Sequence, residues 1–196
     1  DRDYPMFLTL VYTGMRIGEL AALKWSDIDF DEQSISITKT LYNPNNNSKK
    51  YELLTPKTKS SIRVIDIDVY VLNELKKLRT TQNEIRMRHR DIYHDENFVF
   101  AKLNNYDLLG YPENLKMIRL RMRRLLRLAG LDQTLSPHSL RHTHTSLLAE
   151  AGATLEEIME RLGHVDDQTT RNVYLHITKT RKKEVSQKFA KLMRNL

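Results

Sequence analysis

The chain has 196 residues, 40% of them hydrophobic, and no cysteine; this suits one domain with a real core and excludes a disulfide scaffold, a thiolate nucleophile and thiolate zinc sites. No apolar run approaches the roughly 20 residues that span a bilayer and no signal peptide opens the chain, so an intracellular protein is expected. A formal net charge of +7, from 32 Lys+Arg against 25 Asp+Glu, makes a polyanion the expected partner.

From Tyr4 to Leu23 apolar residues recur at helical spacing, with one break at Thr13 and Gly14. This predicts two helices joined by a glycine turn. The stretch WSDIDFDEQSISITKT then alternates apolar with polar residues through Ile28, Phe30, Ile35 and Ile37, the period of a half-buried strand. A polar loop, YNPNNNSKKYE, leads into LLTPKTKSSIRVIDI, read as a strand, a turn from Lys57 to Ser61 and a second strand. A helix from Asp68 to about Arg88 carries Val71, Leu72, Leu75 and Leu78 on its inner face. After a short apolar segment between two irregular connections, a helix runs from Pro112 to Ala129, with Pro112 in its first turn and Gly130 just past its end. Four more helices follow: Pro137 to Ala151, Leu155 to Leu162, a short one around Thr169 to Tyr174, and a last one from Arg181. The expected fold class is α+β, predominantly α-helical, with a small antiparallel β-sheet of about three strands on one side.

The segment SPHSLRHTHTS packs three histidines and an arginine together. Ser136 before Pro137 places His138 in the first turn of a helix, where backbone N–H groups and the dipole favour anions, with Arg141 on the same face. His138 and His142, four apart, could instead hold a metal, but a permanent cation between them and the lack of a third ligand argue against it. Earlier in the chain, YTGMRIGELAAL puts Arg16 at a helix start with Glu19 three residues on, a spacing at which a carboxylate orients a guanidinium. Later, RLGHVDDQTTRNVYLHIT sets His164 after a helix-ending glycine and Tyr174 ten residues beyond. Each of these alone reads as an ordinary ion pair, cap or half-buried aromatic.

In chain order they form a pattern: Arg16 in TGMRIGEL, a lysine in TPKTKSSIRVIDI, His138-x-x-Arg141, Leu162-Gly163-His164, then Tyr174. The pattern resembles the catalytic domain of the tyrosine recombinases, the phage-integrase-like family, above all integrases of phages and conjugative transposons of Gram-positive bacteria. The resemblance covers nearly the whole chain. It implies a tyrosine recombinase catalytic-domain fold over residues 1–196, the C-terminal part of a longer protein whose N-terminal DNA-binding domains lie outside this sequence. It also implies a site-specific recombinase that cuts and rejoins DNA through a 3′-phosphotyrosyl intermediate without metal, cofactor or ATP. In that scheme Tyr174 is the nucleophile, Arg16 and Arg141 bind phosphate oxygens, His138 accepts the phenol proton and His164 orients the phosphate. Lys57, with Lys59 as rival, protonates the leaving 5′-oxygen, and Glu19 buttresses Arg16. Fixed cations are the physical remedy for phosphoryl charge when no divalent ion is present.

For grip on DNA the candidates are Lys49, Lys50, Lys59, Arg119, Arg123 and Arg127, contacting phosphates and therefore salt-dependent. The resemblance further implies double-stranded attachment-site DNA as partner, a monomer when free, and a tetramer on DNA assembled by docking of a helix at 181–196 onto a neighbour. An excision factor as helper and a cytoplasmic, nucleoid-associated bacterial location complete the expectation. Type IB topoisomerase activity, a non-catalytic DNA-binding module and a histidine metalloenzyme are the alternative readings.

Overall fold

The computed structural model describes residues 2–56, 58–163 and 168–194. Helix α1 (Asp3–Thr13) stops where Gly14 enters the left-handed region at φ 63°, and α2 (Ile17–Ala22) restarts after an extended Arg16. The break predicted at the glycine is therefore a real change of chain direction.

The alternating stretch after α2 forms two strands where one was expected. Strands β1 (Ile28–Asp29) and β2 (Ser34–Ile37) run antiparallel with Ile28 opposite Ile35. These two residues lie an odd number of positions apart and would face opposite ways on a single strand; the reversal near Gln33, at φ 51°, turns both inward. Strand β5 (Arg63–Asp66) completes a three-stranded sheet in the order β1-β2-β5, with Ile35 opposite Ile65. Strands β3 (Thr40–Tyr42) and β4 (Glu52–Leu54) pair separately, Leu41 opposite Leu53. The hairpin expected across Lys57 to Ser61 is thus corrected: β4 and β5 belong to different sheets, because β5 buries Ile65 against β2 while β4 is paired with β3.

Helix α3 (Val69–Arg88) starts where Asp68 accepts the Tyr70 N–H at 2.7 Å. Helix α4 (Leu115–Leu128) begins later than predicted, since Pro112 is held in a bridge to Ala101 and Asn114 is the N-cap. It buries Ile118, Met122 and Leu126 and leaves Leu125 exposed. Helices α5 (Pro137–Ala151) and α6 (Leu155–Leu162) have the predicted limits, each ended by a left-handed glycine, Gly152 and Gly163. At the start of α6, Thr154 and Glu157 cap each other's N–H groups, at 3.2 and 2.6 Å. Helix α7 (Gln168–Arg194) is continuous where two helices were expected. No glycine or proline interrupts those residues.

Two apolar clusters result. The larger joins Met6, Leu10, Leu20, Ile35, Ile65, Leu72, Phe100 and Ile118 from α1 to α4 and the three-stranded sheet. The smaller joins Ala149, Ile158 and Leu162 of α5 and α6, with Tyr174 and Ile177 of α7 packed on it. A separate polar knot fixes the N-terminal region, where Arg2 donates to Glu113 and to the Ala101 carbonyl, and Lys102 reaches Glu113 at 2.7 Å. Among the described residues no helix is long and apolar enough to cross a membrane.

Candidate active site

The framework of the candidate site is a set of arginines bonded to helix-terminal carbonyls and to Glu19. Arg141, on the second turn of α5, is only 3% exposed. Its Nη1 donates to the Gly14 carbonyl at 2.5 Å and its Nη2 to the Leu162 carbonyl at 2.7 Å. One planar fork thus ties the end of α1 to the end of α6, meeting helix-terminal carbonyls that have no partner within their own helix.

Two residues past Gly14, Arg16 heads α2 with its side chain 43% exposed. Glu19 accepts the Arg16 backbone N–H at 2.9 Å and its Nη1 at 3.0 Å, so the predicted buttress is present in its i, i+3 geometry. Glu19 is also gripped by Arg63 of β5, at 2.9 Å from Nη2 and 3.3 Å from Nη1. Burial works against the Glu19 carboxylate, but the Arg63 hydrogen bonds and charge and the Arg16 contacts overcome it and hold its pKa below the usual range. Two guanidiniums share this one carboxylate, which leaves local positive charge for an anion.

His138 sits exposed in the first turn of α5, behind Ser136 and Pro137, and its ring meets His142 edge-on at 4.5 Å. Among the described residues no group of three or more His, Cys, Asp or Glu could hold a metal ion. Tyr174, half-buried on α7, packs on the Ala149, Ile158 and Leu162 cluster, beside the residue whose carbonyl Arg141 holds. Arg16 with Glu19, Arg141 and Tyr174 are thus linked through the Gly14 turn and Leu162, and His138 lies three positions before Arg141 on α5. Lys57 and His164 lie outside the described residues; Lys59 starts the short 3-10 turn Lys59–Ser61. Of the other DNA-grip candidates, Lys49 and Lys50 are exposed between β3 and β4, and Arg119, Arg123 and Arg127 are exposed four apart on α4.

Three supporting residues escaped the sequence reading. Arg63 occupies the inward phase of β5 with Ile65, and an arginine on an apolar phase was the available signal of a buried, paired charge. Arg161, near the end of α6, donates to the carbonyls of Tyr12 at 3.1 Å and Asp66 at 2.9 Å. His144, the third histidine of the cluster, bridges α5 to α1 and α6: Nδ1–H donates to the Val11 carbonyl at 2.8 Å and Nε2 accepts from Arg161 Nε at 3.2 Å. Burial, then the Arg161 charge, push its pKa down to about 4, so it is a neutral structural bridge at pH 7.

The model of the phage integrase family matches residues 1–181. The integrase of Staphylococcus phage L54a is 36% identical over 181 residues, covering 92% of this chain and 49% of that protein. The integrase of ICEBs1 from Bacillus subtilis is 30% identical, over 97% of this chain and 49% of its own length. The chain thus spans about half the length of these curated relatives. Among solved structures, the Tn1549 transposon integrase in complex with circular intermediate DNA superposes with a TM-score of 0.73 at 25% identity, over 93% of this chain and 59% of that one.

Proposed function

This chain belongs to the phage integrase family, and we propose that it is the strand-cleaving and rejoining part of a site-specific DNA recombinase acting through Tyr174. The observation that carries this reading is the pair of hydrogen bonds that Arg141 donates to the Gly14 and Leu162 carbonyls. It draws together the Arg16 turn, the His138-to-Arg141 helix and the segment before His164, against the helix that bears Tyr174.

In the proposed reaction the Tyr174 phenol oxygen attacks the scissile phosphorus, its proton passes to His138, and the bond from phosphorus to the 5′-oxygen breaks. The product is a 3′-phosphotyrosyl link and a free 5′-hydroxyl, protonated by Lys57 or by Lys59. A 5′-hydroxyl from the partner strand then reverses the step, so the bond energy is kept and no ATP enters. A phenol near pKa 10 needs such an acceptor at neutral pH. Arg16, exposed and oriented by Glu19, offers a planar fork to the non-bridging oxygens, and Arg141 supplies positive charge from the floor of the site. His164 completes the phosphate cradle, and Lys49, Lys50, Lys59, Arg119, Arg123 and Arg127 hold the flanking backbone.

The same proposal places the chain as the catalytic domain of a longer cytoplasmic protein, acting as a tetramer on nucleoid attachment-site DNA, with an excision factor setting direction. Exposed Phe189, Leu192 and Met193 on α7 supply an apolar face for docking on a neighbouring protomer. The test is trapping on a nicked duplex that carries the attachment site. An adduct that survives boiling in detergent, forms in EDTA and is absent in Tyr174→Phe supports the reading; an adduct of equal yield from Tyr174→Phe sinks it.

A further inference from the structure

We propose that Arg63 is a positioning residue of the strand-transfer site, setting the Arg16 guanidinium through Glu19; the inference rests on the recombinase reading above. Its side chain is 5% exposed, so it does not reach a DNA phosphate directly. All three of its guanidinium nitrogens are committed inside the protein. Nε donates to the Arg161 carbonyl at 2.7 Å, Nη1 to the Ser61 carbonyl at 2.9 Å and Glu19 Oε1 at 3.3 Å, and Nη2 to Glu19 Oε2 at 2.9 Å.

These bonds join three stretches that lie far apart in sequence and each carry a proposed site residue. The Glu19 contact fixes the carboxylate that holds Arg16. The Ser61 contact anchors the turn that contains Lys59. The Arg161 contact, one residue before the carbonyl taken by Arg141, holds the end of α6 from which the chain runs through Gly163 towards His164. Packing there is close: a Cβ on Gly163 would lie 2.9 Å from the Ser60 carbonyl oxygen and 3.0 Å from Arg63 Nη1.

A carboxylate gripped from one side by a buried fork has a fixed orientation, and only then does it fix the exposed partner on its other side. Removing the fork leaves Glu19 held only through Arg16, by its backbone N–H and its Nη1. Lysine keeps the charge at position 63 but offers a single ammonium, which cannot span the Ser61, Glu19 and Arg161 acceptors with a planar array.

The test uses the full-length protein and the nicked attachment-site duplex, with single-turnover adduct formation measured at saturating DNA. Arg63→Lys is expected to cut about 30-fold slower, with DNA affinity within about twofold of wild type. In an Arg16→Lys background the same change is expected to cost less than about threefold, because the two residues act through one carboxylate. Glu19→Gln, which keeps the shape but removes one acceptor oxygen, gives the same rate loss at unchanged affinity and keeps the proposal testable if Arg63 variants do not fold. Arg63→Lys or Glu19→Gln cutting at the wild-type rate overturns the positioning role, as does full additivity with Arg16→Lys. Wild type that makes no Tyr174-dependent adduct overturns the recombinase reading itself, a result distinct from a Tyr174-dependent adduct that Arg63→Lys makes equally fast.

Discussion

Arg141 bonds the carbonyl of Gly14, 127 positions earlier in the chain, and does so while almost fully buried. This makes it a structural tie as well as a source of positive charge, and the two roles separate it from Arg16. From sequence alone, alanine at either arginine is expected to spare the fold. The structure corrects that for Arg141, whose loss strands two buried carbonyls at Gly14 and Leu162. Arg141→Ala is therefore expected to lower stability by about 2–4 kcal/mol, against less than about 1 kcal/mol for Arg16→Ala, whose side chain is 43% exposed. Urea denaturation of both variants checks the difference; equal midpoints would show that Arg141 bears no structural load. Both should lose cleavage on the scale of an oxyanion donor, about 3 kcal/mol of transition-state stabilisation.

Gly14 is the position least open to substitution in this region. Its φ of 63° is strained for any residue with a Cβ, and an added Cβ would lie 2.5 Å from His144 Cδ2 and 2.8 Å from Leu162 Cδ2. Leu162 is fully buried in the smaller cluster, and His144 is pinned at both ring nitrogens. Gly14→Ala should cost about 3 kcal/mol, combining backbone strain with overpacking. Cleavage should fall with it, since the Gly14 carbonyl is the Arg141 anchor. A thermal melt is enough to decide, and a variant as stable as wild type contradicts the close packing.

The contrast between what the sequence reveals here and what it hides has a physical basis. The limits of α5 and α6 follow from short-range signals, Ser136-Pro137 and Thr154 with Glu157 at the starts and Gly152 and Gly163 at the ends. Alternation marks strands but does not name their partners, so β4 and β5 looked like one hairpin and belong to two sheets. Arg16, Glu19, His138, Arg141 and Tyr174 were readable because they recur in an ordered pattern. Arg161 and His144 were not, because apart from each other their partners are backbone carbonyls of Tyr12, Asp66 and Val11, and a carbonyl carries no residue identity.

His144 gives the fold a defined acid sensitivity. Its pKa is about 4 when folded, against 6.5 for an ordinary histidine, so between these values the unfolded chain binds the extra proton. The contribution is fully present above pH 6.5 and drains as pH falls towards 4, by about 3 kcal/mol at most. His144→Asn, which keeps a donor for the Val11 carbonyl, should flatten this part of the stability profile relative to wild type. Unfolding free energies at pH 7 and pH 4.5 for the two proteins test it. A wild-type profile that falls no more steeply than that of the variant would place a protonated imidazole in the folded state.

Arg121 and Arg123 are near neighbours on α4 with opposite prospects. Arg121 is paired internally, 2.6 Å from Asp3 and 3.5 Å from Glu113, and its side chain is 22% exposed. It closes the polar knot around Arg2 and Lys102, so Arg121→Ala should lower stability by about 1–3 kcal/mol while leaving the salt dependence of DNA binding unchanged. Arg123 is exposed and shares its ridge with Arg119 and Arg127. A phosphate contact there releases about one counterion, so Arg123→Ala should reduce the slope of log affinity against log salt by about 1 and leave the unfolding midpoint in place. Titrations of a labelled attachment-site duplex at several salt concentrations measure both slopes. If Arg123→Ala binds with the wild-type slope, the α4 ridge faces solvent in the complex and the DNA path runs past Lys49 and Lys50 instead.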